Sequence, residues 1–197
     1  MSNMDGITFR EALLRGDREA AESMLQAGAP GQLKNEKNAL LRELTDGHLR
    51  GEIPFCLLTA AAQAACAFPL ENRPFIACCG GVAGNTSAIG KGYMLMLLRA
   101  WGVPALDLGV DVPADVFLDA AMAHHLRYII CEGFSAADAD FIQNLHRRAA
   151  EHGIREQFRL VLCGASLTPE TLAALPLDYP DSRAAAIAEW MVDTWTM

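Results

Sequence analysis

Long apolar runs are missing from this sequence. None reaches the roughly 18–20 residues a membrane helix needs, so no membrane partner is expected. Basic residues are scarce: 16 Lys+Arg stand against 24 Asp+Glu, for a net charge of −8 and a pI near 5.0. Proteins that track phosphate backbones need a basic face, so nucleic acid is not expected either. Residues Met1 to Glu11 show neither the basic n-region nor the apolar h-region of a signal peptide, and the expected compartment is the cytoplasm. The six cysteines include no CxxC, the pair Cys78-Cys79 is vicinal, and no histidine stands at finger spacing, which excludes a zinc framework. In a reducing compartment disulfides are transient at most, and the thiols read as small core fillers. What remains is globular, with 52% hydrophobic and 20% charged residues over 197 positions. That length suits one large domain, or an ordinary domain with a small helical appendage.

Two textures follow one another along the chain. Residues 1–70 read as helices only. Thr8 with Glu11 forms a capping box, and Phe9, Leu13, Ala20, Met24 and Leu25 continue one helix until the Gly28–Gly31 segment stops it. Leu40, Leu41, Leu44 and Leu49 mark a second helix, and Pro54 opens a third carrying Leu57, Leu58, Ala61, Ala65 and Cys66. Phe68 through Pro74 reads as a linker. From 74 to 197 the pattern alternates. Strands are expected at Phe75–Cys79, Val103–Leu108, Tyr128–Cys131 and Arg159–Cys163, with a weak fifth near Leu177–Tyr179. Helices are expected at Ile89–Trp101, Pro113–His125 and Asp138–His152, and after the cap Asp181-Ser182. Repeated β-α-β units predict an α/β fold: a flavodoxin-like, doubly wound parallel sheet of five strands in the order 2-1-3-4-5. Ligands of such sheets bind beyond the carboxyl ends of the strands. The informative segments are therefore Gly80–Gly90, Gly109–Pro113, Glu132–Asp138 and Gly164–Thr168.

Common chemistries fail on spacing. Between Gly84 and Gly90-Lys91 five residues intervene where a Walker loop has four, and Gly92 stands where it needs a hydroxyl for magnesium. Gly164 to Thr168 lacks the last glycine of a nucleophile elbow, and no HExxH is present. His124-His125 suits a helix end. Asp107 and Asp111 read first as turn-capping acids. Cys79, Cys131 and Cys163 end strands one, three and four. Adjacent thiols could meet there, which leaves a metal or redox role for Cys79 and Cys131 as one reading.

The segments Gly84-Asn85-Thr86-Ser87-Ala88-Ile89-Gly90-Lys91-Gly92 and Asp107-Leu108-Gly109-Val110-Asp111-Val112-Pro113 together resemble the cobalamin-binding domain of corrinoid methyl-carrier proteins and of cobalamin-dependent methionine synthase. That family reads G-D-x-H-x-I-G-K-N and then D-L-G-x-D-V-P. Cys163 through Thr168 looks like its G-G-A-x-x-T turn, and Leu49–Ile53 like a junction in its helical cap. The resemblance implies a helical cap domain at 1–70 and a cobalamin-binding-like α/β domain at 74–197. It implies that the family histidine ligates cobalt, that the aspartate orients it, and that the cofactor's nucleotide tail enters a slot between strands one and three.

Two positions depart from that pattern: Asn85 stands for the aspartate and Ser87 for the histidine. A carboxylate has no purpose there without an imidazole to orient, so the two changes belong together. After strand three, Gly133 and Ala137 replace a serine and a threonine, with Ser135 nearby and Phe134 able to fill the slot. The resemblance places cobalamin, not His-ligated, against Asn85, Thr86, Ser87, Ala88, Ile89 and Gly90. It adds Gly133, Ser135 and Ala137, then Gly164, Ala165 and Tyr179. It implies no catalytic residue and no protein metal ligand. The chain would carry methyl between a substrate-specific methyltransferase and a methyl-acceptor methyltransferase subunit, with a homodimer left open. The alternative is a cofactor-less or differently liganded homologue that senses or regulates. In the carrier reading His48, near Gly51, is the polar candidate on the cap.

Overall fold

The structure, a computed structural model, describes residues 7–70, 73–133, 135, 137–164 and 168–195, and of Ala137 the backbone alone. The chain divides into two compact units. One runs to residue 71 and takes in Arg99–Gly102; the other holds residues 72–98 and 103–197.

The first unit is helical: α1 Phe9–Arg15, α2 Arg18–Ala27, α3 Pro30–Leu49 and α4 Phe55–Ala65. The Thr8–Glu11 capping box is present. The single helix expected from Phe9 through Leu25 is instead two. Gly16 takes a left-handed φ of 70°, and Asp17 then caps α2 by accepting the Ala20 N–H at 3.0 Å. The break lets both short helices pack on α4, which one straight rod could not do. Pro30 opens α3 at its first position, where the missing N–H is no loss. Phe9, Leu13, Leu40, Leu41, Leu44 and Leu58 form the core. Lys37 is buried among them. Its Nζ donates to the Ala100 carbonyl at 2.5 Å and lies 4.9 Å over the Phe68 ring. Burial pushes its ammonium down to about 8.

The second unit alternates β1 Ala77–Val82, α5 Ile89–Trp101, β2 Ala105–Val112, α6 Ala114–His124, β3 Tyr128–Glu132, α7 Ala137–Glu151, β4 Arg159–Cys163, α8 Pro169–Ala173 and α9 Ala184–Trp195. The described strands form one parallel sheet in the order β2-β1-β3-β4. This is the expected doubly wound class with four strands, not five. Leu177–Tyr179 lies beside β4 without forming a ladder. Asp178 N–H reaches the Leu160 carbonyl at 2.9 Å, the Asp178 carboxylate takes the Leu160 N–H at 2.8 Å, and Gly164 N–H reaches Ser182 at 3.0 Å. Pro176 and Pro180 flank the segment and offer no N–H, so regular pairing cannot propagate. β1 starts two residues later than expected and runs through Gly80-Gly81. A Cβ at Gly80 would lie 2.9 Å from the Phe117 ring, so only glycine continues the strand there.

The pleat sorts the strand side chains. Cys78, Ile129, Cys131, Leu160 and Leu162 face a core shared with Phe117 and Leu118 of α6 and Ile142 and Leu145 of α7. In register, Cys79, Ile130 and Val161 face the opposite side, followed two residues on by Glu132 and Cys163. Cys79 and Cys131 thus point to opposite faces, which overturns the reading that they form a shared thiol site.

Candidate functional site

Strand order reverses between β1 and β3, so the crevice beyond Val82 and Glu132 is the topological switch point. Four segments meet there. The β1–α5 loop is tied to the β2–α6 turn: Gly84 N–H donates to Asp111 Oδ1 at 2.7 Å, and Asp111 N–H donates to the Asn85 carbonyl at 2.8 Å. Asp111 holds φ 54° to make this junction. Behind it, buried Lys91 pairs with Asp107 at 2.6 Å, and Asp107 Oδ1 also accepts the Gly109 N–H at 2.8 Å. Burial alone would raise the Asp107 carboxyl, but Lys91 and the Gly109 amide hold it below its usual range. Both acids are turn supports.

Asn85 is the centre of the loop. Its Oδ1 accepts the Ser87 N–H at 3.0 Å, which leaves Nδ2 as the end facing β3. Nδ2 donates to the Glu132 carbonyl at 3.2 Å and to Glu132 Oε2. Glu132 is fully buried, and its Oε1 has no hydrogen-bond partner among the described residues. Gly90 makes room for it, because a Cβ there would collide with Oε1. Burial pushes the Glu132 carboxyl up and Asp138 adds to the rise, while Asn85 and Lys91 act the other way. On β3's far side Gly133 N–H donates to the Cys163 carbonyl at 3.0 Å. Gly164, at φ 151°, passes so close to the Gly133 carbonyl that no Cβ fits.

The structure therefore brings together Asn85, Ser87, Gly90, Gly133 and Gly164. Ser87 is half-buried, with Oγ accepting the Ile89 N–H at 3.4 Å, and Thr86, Ala88 and Ile89 are exposed along the rim. The Ile89 side chain is 84% exposed, an apolar group placed where solvent gives it no partner. Ser135 donates its N–H to Asp138 Oδ2 at 2.7 Å at the start of α7. Phe134, Ala165 and the Ala137 side chain lie outside the described residues. Tyr179 belongs to another neighbourhood. Its ring stacks on Trp190 at 4.8 Å, and Trp190 meets Tyr128 at the start of β3. A hollow of about 600 Å³ lined by Arg127, Tyr128, Arg159, Asp178 and Trp190 also lies at that amino end. That is the wrong end of the sheet for ligands of this fold. Glu132 was not singled out from sequence; the only sign was an acid directly after the apolar run Tyr128–Cys131.

Other candidates resolve into structural roles. His125 ends α6 with φ 50°, and His48 Nδ1 lies 3.2 Å from the Ile53 carbonyl in its own helix-end loop. None of the described cysteines is in a disulfide. Burial pushes Cys78 and Cys163 up to about 12 and Cys79 and Cys131 well above the usual thiol range. Among the described residues no group of three or more His, Cys, Asp or Glu could hold a metal ion, and no helix is long and apolar enough to cross a membrane.

The switch-point crevice and flanking helices define a Rossmann-like fold of the kind found in solved cobalamin-binding proteins. Among the solved structures that share it are the following three. A cobalamin-binding protein from Desulfitobacterium hafniense DCB-2 aligns at a TM-score of 0.77 and 17% identity, covering 96% of this chain and 99% of that one. The methanol:cobalamin methyltransferase complex MtaBC from Methanosarcina barkeri aligns at 0.72 and 18%, covering 94% and 78%. The monomethylamine corrinoid protein of Methanosarcina barkeri aligns at 0.55 and 18%, covering 94% and 96%. No family model matches the sequence, and no curated protein matches it.

Proposed function

We propose that this chain binds a corrinoid at the carboxyl end of its sheet and carries methyl between a substrate-specific methyltransferase and a methyl-acceptor methyltransferase subunit. The observation that carries the reading is the β1–α5 loop. Its motif residues are held against β2 by Gly84–Asp111 and against β3 by Asn85–Glu132, at the crevice where this fold binds ligands. Gly90, Gly133 and Gly164 let these segments close together, with Glu132 against Gly90, Asp138 against Gly133 and the Gly133 carbonyl against Gly164. The likeness to cobalamin-binding structures supports the same ligand.

The residues fit a corrinoid held without a protein imidazole. Ser87 offers a neutral hydroxyl, a poor cobalt ligand, and Asn85 spends its amide on β3 instead of orienting a ligand. When bound, the corrinoid supplies the metal that accepts and releases methyl; the chain binds and orients it. In this reading the cofactor's base is detached and its tail lies between β1 and β3. Ile89, 84% exposed on the rim of the crevice, is where the corrin edge would rest in that reading.

The test is absorbance of the purified chain after incubation with cobalamin and desalting. Retained corrinoid absorbance near one per chain is expected. In the Co(II) state, electron spin resonance should show no nitrogen coordination with a base-free corrinoid, and Ser87→His with Asn85→Asp should introduce it. A colourless protein would overturn the carrier reading in favour of a cofactor-less regulatory homologue. Nitrogen coordination by the wild-type chain with a base-free corrinoid would overturn the imidazole-free site.

A further inference from the structure

We propose that the hollow at the amino end of the sheet is a second binding site, which takes a phosphate monoester with a planar aromatic body and holds its phosphate between Arg127 and Arg159. The site lies away from the crevice at the carboxyl end and does not rest on the corrinoid reading. Its position follows from the strand starts. Tyr128 of β3 and Arg159 of β4 are register partners, and the Arg159 N–H donates to the Arg127 carbonyl at 2.7 Å. Neighbouring strands lie about 4.8 Å apart. The two guanidiniums therefore spring from adjacent backbone, and both line the same hollow of about 600 Å³. That volume falls within the range of small-molecule sites.

Charge makes the pair informative. Acids outnumber bases by 24 to 16 in this chain, yet the Arg127 side chain has no ion pair or hydrogen bond among the described residues. Like charges on neighbouring strands repel unless something answers them. Asp178 answers little of this. Its Oδ2 already takes Arg155 Nη2 at 2.7 Å and the Leu160 N–H at 2.8 Å, which leaves Oδ1 a single bond of 3.2 Å from Arg159. Glu156, in the turn before β4, also lines the hollow and pairs with neither arginine. With Asp178 committed to Arg155, two guanidiniums face one uncommitted carboxylate, and an anion balances the excess. A phosphate's three terminal oxygens accept a fork from each guanidinium, which two carboxylate oxygens could do only by sharing both. The remaining wall is aromatic and fixed in place. Trp190 stacks on Tyr179 with centroids 4.8 Å apart and meets Tyr128 edge to face at 5.8 Å. Tyr128 Oη is in turn tied to Thr194 Oγ1 at 2.8 Å. Rings ordered before a ligand arrives suit a planar body, because little freedom is lost on binding.

The experiment is calorimetric titration of the full chain with phenyl phosphate, inorganic phosphate and phenol. Phenyl phosphate should bind once per chain and at least about tenfold tighter than either fragment, because it alone meets both the arginines and the rings. Arg127→Gln and Arg159→Gln should each weaken it about tenfold, the worth of one charge-assisted hydrogen bond. Both side chains are exposed, so the melting temperature should not move. Arg147→Gln, on α7 and paired with Glu151, should change nothing. Phenyl phosphate held no tighter than inorganic phosphate, or held equally by the wild type and both variants at 127 and 159, would overturn the proposal. Absence of binding up to about 10 mM would overturn it too. None of these results touches the corrinoid reading, which stands or falls on retained cobalamin absorbance.

Discussion

Each unit of this molecule buries a titratable group beside no opposite charge that is free to pair with it, and the two are treated differently. In the helical unit, Lys37 spends its proton-bearing end on the Ala100 carbonyl and the face of Phe68. Those partners are permanent parts of the fold, so the lysine is a packing element that costs desolvation and recovers part of it locally. In the α/β unit, Glu132 has one oxygen held by Asn85 and the other facing glycine backbone. Its local satisfaction is incomplete, and it lies where the sheet order reverses. A buried group fully answered by its own unit is a packing element; one half-answered where the strand order reverses keeps an uncompensated acceptor in the fold.

The comparison breaks most sharply at the glycines. Gly164→Ala should destabilise the chain by about 3 kcal/mol or more, because the φ of 151° and the Gly133 carbonyl leave no place for a methyl group. A thermal melt reads this directly, and a change of under about 1 kcal/mol would mean the crevice backbone is soft. The same substitution at Gly31 in α3, where a Cβ meets nothing within 4 Å, should stabilise by about 0.5–1 kcal/mol.

Between those extremes fall the two buried groups, with opposite pH signs. Lys37 has a folded value of about 8 against 10.5 unfolded, so its cost is full below about pH 8 and vanishes as pH rises past 10.5. Lys37→Met should therefore stabilise by about 1–2 kcal/mol at neutral pH, with the gain lost in alkali. Glu132 has a folded value raised above 4.5, so its cost is absent below that pH and enters as pH rises through the folded value. Glu132→Gln should stabilise by about 1 kcal/mol at the alkaline end of the range and by nothing in acid. Urea unfolding across pH measures both. Parallel curves for either variant and the wild type would show that the group ionises as freely folded as unfolded.

Much of the architecture was legible. The boundaries of α5 and β4 follow from apolar runs closed by glycine, and Pro113 and Thr8 mark helix starts that the structure uses. The β1–α5 loop was legible too, since Asn85 and Ser87 stand between two glycines. The partner of Asn85 was not. Glu132 is 47 residues away, and only the pairing of β3 with β1 brings them together. Lys37 was missed because it sits one turn before Leu40 and Leu41 on the same apolar stripe, where a lysine usually turns to water. Most of the thiols are the core fillers expected, but the alternative of a shared site failed for a related reason: adjacency of strands was readable, register was not, and the pleat put Cys79 and Cys131 on opposite faces.

By itself, then, the order of residues determined the helical stretch and the β-α-β alternation, because periodicity and chain stops are local properties. Tertiary structure alone decided that Gly16 folds one helix into two, that Leu177–Tyr179 forms no ladder, and that Asn85 closes on Glu132. Each of those depends on contacts between residues far apart in the chain, and their energies exist only once the sheet and the helix pack have fixed which distant groups are neighbours.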